Sequence, residues 1–215
     1  MNYALEARGF TLTYPGMERP VFSPLDFAVE AGEAVALLGE SGAGKSSLLL
    51  CACGIIPKSI DAEITGEILL FGRPPSAYTR AELTRLVGVV FQNPETQLFC
   101  GTVELEAAFG LENLCVPRDE MRVRVREALE TVGLWERRGD SPGNLSGGQK
   151  QMLALAAVLV LRPKLLLLDE ALGQLDEQAA AHMTDVLRRL RDGGQTMILA
   201  AHEACALAQR EIWLW

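Results

Sequence analysis

Basic residues are scarce in this chain. Lys and Arg together number 20 against 28 Asp and Glu, which gives a formal net charge of −8 over 215 residues. Sequence-independent binding to nucleic acid depends on clustered Lys and Arg that neutralise phosphates. The charge balance therefore argues against nucleic acid as a partner.

Long apolar runs are also missing. The longest apolar stretch, at 152–168, is interrupted by Arg162, Pro163 and Lys164, whereas a membrane-spanning helix needs about 20 apolar residues. The first residues lack the basic-then-apolar order of a secretory signal. We therefore expect a protein of the reducing cytosol whose membrane association, if it has one, is peripheral.

Cysteine usage gives no sign of a disulfide framework, because the chain has 5 cysteines and an odd number leaves one unpaired. Cys51 and Cys53 lie two residues apart on a predicted helix. That spacing turns the two thiols to different faces, which argues against a metal pair.

The hydrophobic pattern predicts an α/β fold. With 49% hydrophobic and 22% charged residues, the composition and length suit one folded domain. Short apolar runs predict buried strands, and the later runs alternate with helical segments, as in βαβ units with a parallel sheet. The predicted strands are 10–14, 25–29, 34–38, 87–91, 165–168 and 196–200.

The middle of the chain is predicted to be helical. Met121, Val125, Ala128 and Leu129 recur at helical spacing, and another amphipathic helix follows Asp176. We expect a single domain over 1–215 with an inserted helical subdomain at about 95–145.

A glycine-rich segment follows the predicted strand at 34–38 and fits the pattern G-x-x-x-x-G-K-[ST]. In this pattern the glycines let backbone N–H groups and a helix N-terminus face phosphates. Lys45 reaches the β and γ phosphates, and the Ser46 hydroxyl binds Mg²⁺. The predicted nucleotide-binding residues are Gly39, Glu40, Ser41, Gly42, Ala43, Gly44, Lys45 and Ser46.

Two carboxylates, Asp169 and Glu170, end the predicted strand at 165–168. Ligands of open α/β sheets bind at the carboxyl ends of the strands. We therefore expect Asp169 to contribute to the Mg²⁺ shell and Glu170 to act as general base on the attacking water. A solvated acidic pair at the end of a core strand is the alternative, and the phosphate-binding segment argues against it.

The segment 145–149 reads LSGGQ and resembles the signature of ATP-binding cassette (ABC) ATPases. Ser146 can cap the following helix, while Gly147 and Gly148 leave its amide end open as a second anion site. In the ABC family this end faces the γ-phosphate held by the other subunit. The resemblance thus implies a dimer, with a second ABC ATPase subunit completing each ATP site.

The same resemblance assigns roles to other positions. Tyr14 is similar to the aromatic that stacks on adenine, and Gln92 to the Q-loop glutamine that approaches Mg²⁺ and water. His202 follows Glu170 by 32 residues and is similar to the switch histidine that contacts the γ-phosphate. Ser47 and Asp176 complete the implied nucleotide-binding set.

The segment 90–99 is similar to the extended Q-loop of energy-coupling factor transporter ATPases, which serve importers of vitamins and transition-metal ions. In that subfamily the segment receives a membrane scaffold, so we expect Glu95 to meet a basic side chain of a partner. The implied partners are an integral membrane scaffold protein and a substrate-binding membrane subunit. The resemblance therefore implies that this chain lies at the cytoplasmic face of the membrane as a peripheral subunit.

Two alternatives stay open at this point. One is a soluble ABC ATPase without a transport role that acts on nucleic acid or the ribosome, and the acidic net charge counts against it. The other is a poorly hydrolysing regulatory subunit, because Gln174 stands where the family usually has a small residue.

Overall fold

The computed structural model describes residues 3–203 and 206–214. Within that part the β-strands are β1 Tyr3–Thr13, β2 Leu25–Glu30, β3 Ala34–Leu38, β4 Glu63–Leu70, β5 Val87–Val90, β6 Leu165–Asp169, β7 Thr196–Ala201 and β8 Arg210–Trp213. The α-helices are α1 Lys45–Ala52, α2 Arg80–Leu86, α3 Val103–Asn113, α4 Arg118–Thr131, α5 Gly147–Leu159 and α6 Glu177–Asp192. None of the helices in these ranges has both the length and the apolar character needed to cross a membrane.

A five-stranded parallel sheet forms the centre of the fold. Its strand order is β5-β6-β7-β3-β8, and each neighbouring pair is parallel. In a parallel sheet all carboxyl ends lie along one edge. The turns that follow β3, β5, β6 and β7 therefore meet at a single edge, which confirms the predicted parallel core.

This sheet is buried on both faces, as continuous apolar strands require. In β6, Leu165 and Leu167 pack into one hydrophobic cluster, while Leu166 and Leu168 pack into another. The first cluster also holds α1 and the N-terminal strands; the second is formed by α3 to α6. The parallel sheet is thus the middle layer of three.

A smaller antiparallel sheet of order β2-β1-β4 covers one face. The sequence predicted only parts of β1 and β2, and it missed β4 and β8. The run Glu63–Leu70 carries two glutamates and a glycine, and six of its eight positions are not buried. Pairing with β1 stabilises this strand. Its sequence has no clear alternating pattern, so it could not be recognised as a strand.

Helix α4 of the middle segment and the later helix α6 pack as their periodicity predicted. Val125, Ala128 and Leu129 form the buried face of α4. Met183, Val186 and Leu187 do the same for α6. The division of the chain into one domain with a helical subdomain at about 95–145 stays a prediction.

At Gly66 the backbones of β1 and β4 in the antiparallel sheet approach each other closely. The β1–β4 register shifts between Arg8 and Thr11, and Gly66 lies opposite with φ +71°. A Cβ at Gly66 would lie 2.2 Å from the Gly9 carbonyl oxygen and 2.5 Å from that of Arg8. Because these are backbone atoms, the clash can be relieved only by moving a strand.

We therefore expect Gly66→Ala to lower the free energy of unfolding by about 2–4 kcal/mol, through backbone strain and overpacking. Gly101→Ala is the matched control, since nothing lies within 4 Å of a Cβ there, and its effect should stay within about 0.5 kcal/mol. Denaturant unfolding of both variants measures the difference. Equal midpoints would contradict the steric account.

Candidate functional site

Four turns at the carboxyl edge of the parallel sheet supply the candidate site. The glycine-rich segment 39–44 follows β3, and Gln92 follows β5. Glu170 comes directly after β6, and His202 directly after β7. Since these strands are neighbours in the sheet, their turns bring distant parts of the sequence together.

The glycine-rich segment is folded tightly around Lys45. Gly44 has φ +89°, and a Cβ there would lie 2.5 Å from the Val21 side chain and 2.7 Å from that of Phe22. The Lys45 ammonium donates to the carbonyls of Gly39, at 2.7 Å, and Glu40, at 3.1 Å. Lys45 is only 4% exposed. These bonds fix a positive charge beside the N-terminus of α1, which favours an anion there.

The Glu170 carboxylate is the centre of the site. Its Oε1 lies 3.2 Å from Lys45 Nζ and 3.1 Å from His202 Nε2. Gln92 Nε2 donates to Oε2 at 3.3 Å. Glu170 also has φ +50°, a left-handed conformation that non-glycine residues adopt at a cost in energy. Such strain, together with three polar neighbours, is typical of a residue held in place for chemistry.

Asp169 faces Ser46 rather than this cluster. The Ser46 hydroxyl donates to Asp169 Oδ1 at 3.0 Å. Burial raises the pKa of Asp169, and the negative charge of Glu170 acts in the same direction, while the Ser46 bond opposes both. A carboxylate beside a hydroxyl offers the hard oxygen ligands that Mg²⁺ takes beside substrate phosphates. Within the described ranges no cluster of three His, Cys, Asp or Glu could hold a metal by itself.

Tyr14 lies just beyond β1 and next to the glycine-rich segment. Its hydroxyl donates to Ser47 Oγ at 2.9 Å. This bond connects the aromatic ring to the first turn of α1. The predicted base-stacking residue and the predicted phosphate-binding residue Ser47 are therefore neighbours.

The signature segment forms the N-terminus of α5. Ser146 and Gln149 make a reciprocal capping box, in which Gln149 N donates to Ser146 Oγ and Ser146 N to Gln149 Oε1. Gly147 is exposed, and a Cβ there would meet nothing within 4 Å. A Cβ at Gly148 would lie 2.5 Å from the Ala179 Cβ. Gly147 thus leaves the helix end open, whereas Gly148 allows α5 to approach α6.

Asp176 caps α6, since its carboxylate accepts from Ala179 N at 2.8 Å. The sequence resemblance placed Asp176 in the nucleotide-binding set. Its observed contact is structural, and the nucleotide contact stays a prediction.

In the segment after Gln92, the Glu95 carboxylate already has a basic partner within the chain. This carboxylate forms an ion pair with Lys150 of α5 in the same chain. Its contact with a basic side chain of a partner stays a prediction. The hydrogen bond from Lys150 lowers the pKa of Glu95. Leu98 packs against the core, and Phe99 is 65% exposed.

Two glutamines that the sequence did not indicate hold the chain just before Gln92. Gln151 is 1% exposed and donates to the Phe91 carbonyl at 2.9 Å. Gln97 accepts from Phe91 N at 2.9 Å and donates to the Val89 carbonyl. For Gln151 the available signal was a polar residue within a largely apolar helix.

Cys51 and Cys53 take no part in the site. Burial raises the pKa of Cys51 to about 12 and that of Cys53 to about 11. Both thiols therefore stay protonated at neutral pH, which makes them poor nucleophiles and metal ligands.

Comparison with known proteins decides the family. The family model for ABC transporters matches residues 22–173. The chain belongs to this family. A candidate ABC transporter ATP-binding protein of Pyrococcus abyssi is 42% identical to this ABC ATPase over 199 residues, which are 92% of the chain and 71% of the relative. An energy-coupling factor transporter ATP-binding protein of Lactobacillus delbrueckii subsp. bulgaricus is 39% identical over 195 residues, 90% of the chain and 68% of the relative.

Other relatives are much longer, and the chain spans only 31% to 38% of their length. Among solved structures, cbiO1 from Clostridium perfringens, part of the ABC transporter complex cbiONQ, superposes with a TM-score of 0.82. The two chains are 32% identical, and the superposition covers 94% of this chain and 80% of cbiO1. The ATP-binding cassette MJ0796, a dimer bound to ADP and Pi, gives a TM-score of 0.81 at 25% identity, over 98% and 94% of the two chains.

These findings confirm the predicted fold class and the resemblance to energy-coupling factor ATPases. The protein is an ATP-binding, ATP-hydrolysing cassette of an ABC transporter.

The contacts of Glu170 generate a direct prediction. Gln in its place keeps the shape but removes the base, so Glu170→Gln should lower the ATP turnover number by about 100- to 10,000-fold. ATP binding should persist, because Lys45 is unchanged. Glu177→Gln, an exposed position in the first turn of α6, is the control and should retain turnover. Hydrolysis by Glu170→Gln within a few-fold of the parent would show that Glu170 is not the base.

Proposed function

We propose that this ABC ATPase powers an importer of the energy-coupling factor type, carrying a vitamin or a transition-metal ion. Two cassettes would close on ATP and reopen on hydrolysis, against a scaffold and a substrate-binding subunit in the membrane. The protein would thus sit at the cytoplasmic face as a peripheral subunit. The observation that carries the hydrolytic part of the proposal is the convergence of Lys45, Gln92 and His202 on the Glu170 carboxylate. The importer type is supported by the energy-coupling factor relative.

Each of these side chains has a role in hydrolysis under the proposal. Glu170 accepts the proton of the attacking water. Lys45 and the amides of the glycine-rich segment neutralise the phosphates, and His202 orients Glu170 and the γ-phosphate. Tyr14 stacks on the adenine. Ser46, Asp169 and Gln92 would hold Mg²⁺, which offsets phosphate charge when bound.

The open end of α5 supports a dimer. Gly147 exposes the helix N-terminus to solvent, and the capping box of Ser146 and Gln149 is contained within the same turn. A helix end of this kind can receive an anion from another molecule. The dimeric structure of MJ0796 with ADP and Pi is consistent with a phosphate held between two cassettes.

An exposed apolar surface supports the scaffold partner. We define the docking surface as Phe99, Leu105 and Phe109, which are 65%, 49% and 38% exposed. The Phe99 and Phe109 rings pack edge to face at 4.6 Å. Buried Glu106 accepts from the backbone N–H groups of Phe99 and Cys100. The loop is therefore held with Phe99 outward, and clustered apolar exposure is typical of a protein interface.

The relatives point to the same kind of partner. One is named as an energy-coupling factor transporter ATP-binding protein, and cbiO1 is described as part of the complex cbiONQ. These names support a membrane scaffold for this ABC ATPase.

The dimer is tested by Ser146→Arg combined with Glu170→Gln. The Glu170→Gln variant should form an ATP-dependent dimer, because it binds ATP without hydrolysing it. A bulky cation at the end of α5 should abolish that dimer, while ATP binding by the monomer stays unchanged. Size-exclusion chromatography with ATP measures both states.

Ser141→Arg is the matched control, since Ser141 is an exposed serine that caps the short 3-10 turn before the signature. It should leave most of the dimer intact. A dimer that persists with Ser146→Arg would contradict the shared site.

The docking surface is tested by Phe99→Asp. A charge in the middle of an apolar contact should abolish co-purification with a co-expressed energy-coupling factor scaffold protein. Val123→Asp is the control, because Val123 is an apolar residue of α4 with 55% exposure. Thermal unfolding should be similar for both. Co-purification of Phe99→Asp at the level of the parent would rule out this surface.

A further inference from the structure

Arg137 lies in the loop between α4 and α5 and contacts the signature from outside it. It ends the short 3-10 turn Trp135–Arg137. Its Nε donates to Asp140 Oδ2 at 2.8 Å, and its Nη1 to Gln149 Oε1 at 2.8 Å. Its Nη2 donates to the Asn144 carbonyl at 3.3 Å. All three nitrogens of the guanidinium are thus engaged.

These contacts lie on both sides of Ser146. Asn144 precedes Ser146 by two residues, and Gln149 follows it by three. Gln149 Oε1 accepts from Ser146 N at 3.0 Å as well as from Arg137. One guanidinium therefore fixes the backbone before the signature and the side chain that caps it.

The chemistry of arginine suits this task. Its planar fork has donors in fixed directions, so it can hold two acceptors at a set spacing, which an ammonium cannot do. Asp140 balances the charge of Arg137. The Arg137 side chain is 35% exposed, and ion pairs at such sites add little to the stability of the fold. The contacts thus constrain geometry more than they stabilise the protein.

The same loop also holds the start of α3. Val103 N donates to the Asp140 carbonyl at 3.0 Å, and Glu104 N to the Arg138 carbonyl at 2.9 Å. These are amides at the helix N-terminus, which have no acceptor inside the helix. The loop around Arg137 therefore joins the helix of the docking surface to the signature.

We propose that Arg137 is a positioning residue for ATP hydrolysis, which orients the N-terminus of α5 toward the phosphate of the partner cassette. This rests on the proposed dimer. The side-chain bonds of Arg137 are to Asp140, Gln149 and the Asn144 carbonyl, so it acts through Gln149 and Asn144 rather than on the phosphate-binding segment. Loss of Arg137 leaves the phosphate-binding segment intact and misaligns only the shared half of each site.

The test uses Arg137→Ala and Arg137→Lys in the Glu170→Gln background. Loss of charge-assisted hydrogen bonds should raise the protein concentration needed for the ATP-dependent dimer about tenfold or more. ATP affinity of the monomer, measured at low protein concentration, should not change. Arg138→Ala is the control, because its guanidinium stacks on Trp135 at 4.5 Å and donates to the Trp135 carbonyl. It should dimerise like the parent.

A double-mutant cycle separates this role from a structural one. If Arg137 acts through Gln149, the double variant Arg137→Ala/Gln149→Ala should lose less free energy of dimerisation than the two single variants lose in sum. Full additivity would overturn that route. If Arg137→Ala unfolds at a lower temperature than Arg138→Ala, the comparison is made with Arg137→Lys.

The two proposals fail in different ways. If Glu170→Gln with intact Arg137 forms no dimer with ATP, the proposed dimer is wrong. Suppose instead that this dimer forms, and that Arg137→Ala and Arg137→Lys in the Glu170→Gln background dimerise as well as Glu170→Gln alone. Arg137 then has no positioning role.

Discussion

The parallel pairing of β5, β6, β7 and β3 is the constraint on which the site depends. Each strand ends at the same edge of the sheet, and each following turn contributes one polar group: Gln92, Glu170, His202 and Lys45. The contacts of Glu170, between 3.1 and 3.3 Å, result from this register. Because successive side chains of a strand point to opposite faces, a slip of one residue in β6 would turn Asp169 away from Ser46. The apolar faces of β6 prevent that slip, since Leu165 and Leu167 fit one cluster and Leu166 and Leu168 the other.

Much of this arrangement could be predicted from the sequence, because its signals are local. A strand buried on both faces is apolar throughout, as Ala34–Leu38 is, and the glycine-rich segment is continuous. β4 could not be predicted in this way, since its strand character depends on β1, far away in the sequence. The contacts of Arg137, Lys150 and Gln151 were also missed. They depend on how α5 approaches neighbouring loops, and nothing in the spacing of residues indicates that approach.

The ion pair of Glu95 and Lys150 changes the view of the segment after Gln92. The sequence predicted that Glu95 would pair with a basic side chain of a partner protein. In the structure its charge is already balanced by Lys150 of α5. The Glu95 side chain is 66% exposed, and exposed ion pairs contribute little to stability. A basic side chain of a scaffold could therefore replace Lys150 at small cost. Under the proposed function, this exchange would remove one of the two links between α5 and the Gln92 segment at the moment of docking, while the bond from Gln151 to the Phe91 carbonyl would remain.

Lys45 and Glu170 show how the proposed site would prepare its own base. A general base has to be ionised and free to accept a proton, whereas Glu170 lies 3.2 Å from the buried ammonium of Lys45. That contact occupies Oε1 of the carboxylate. Phosphates carry more negative charge than one carboxylate, so ATP would compete for Lys45 with advantage. Glu170 would then keep His202 on Oε1 and Gln92 on Oε2, without the ammonium beside it. Under the proposed function, the nucleotide would thus promote its own hydrolysis by drawing Lys45 away from Glu170.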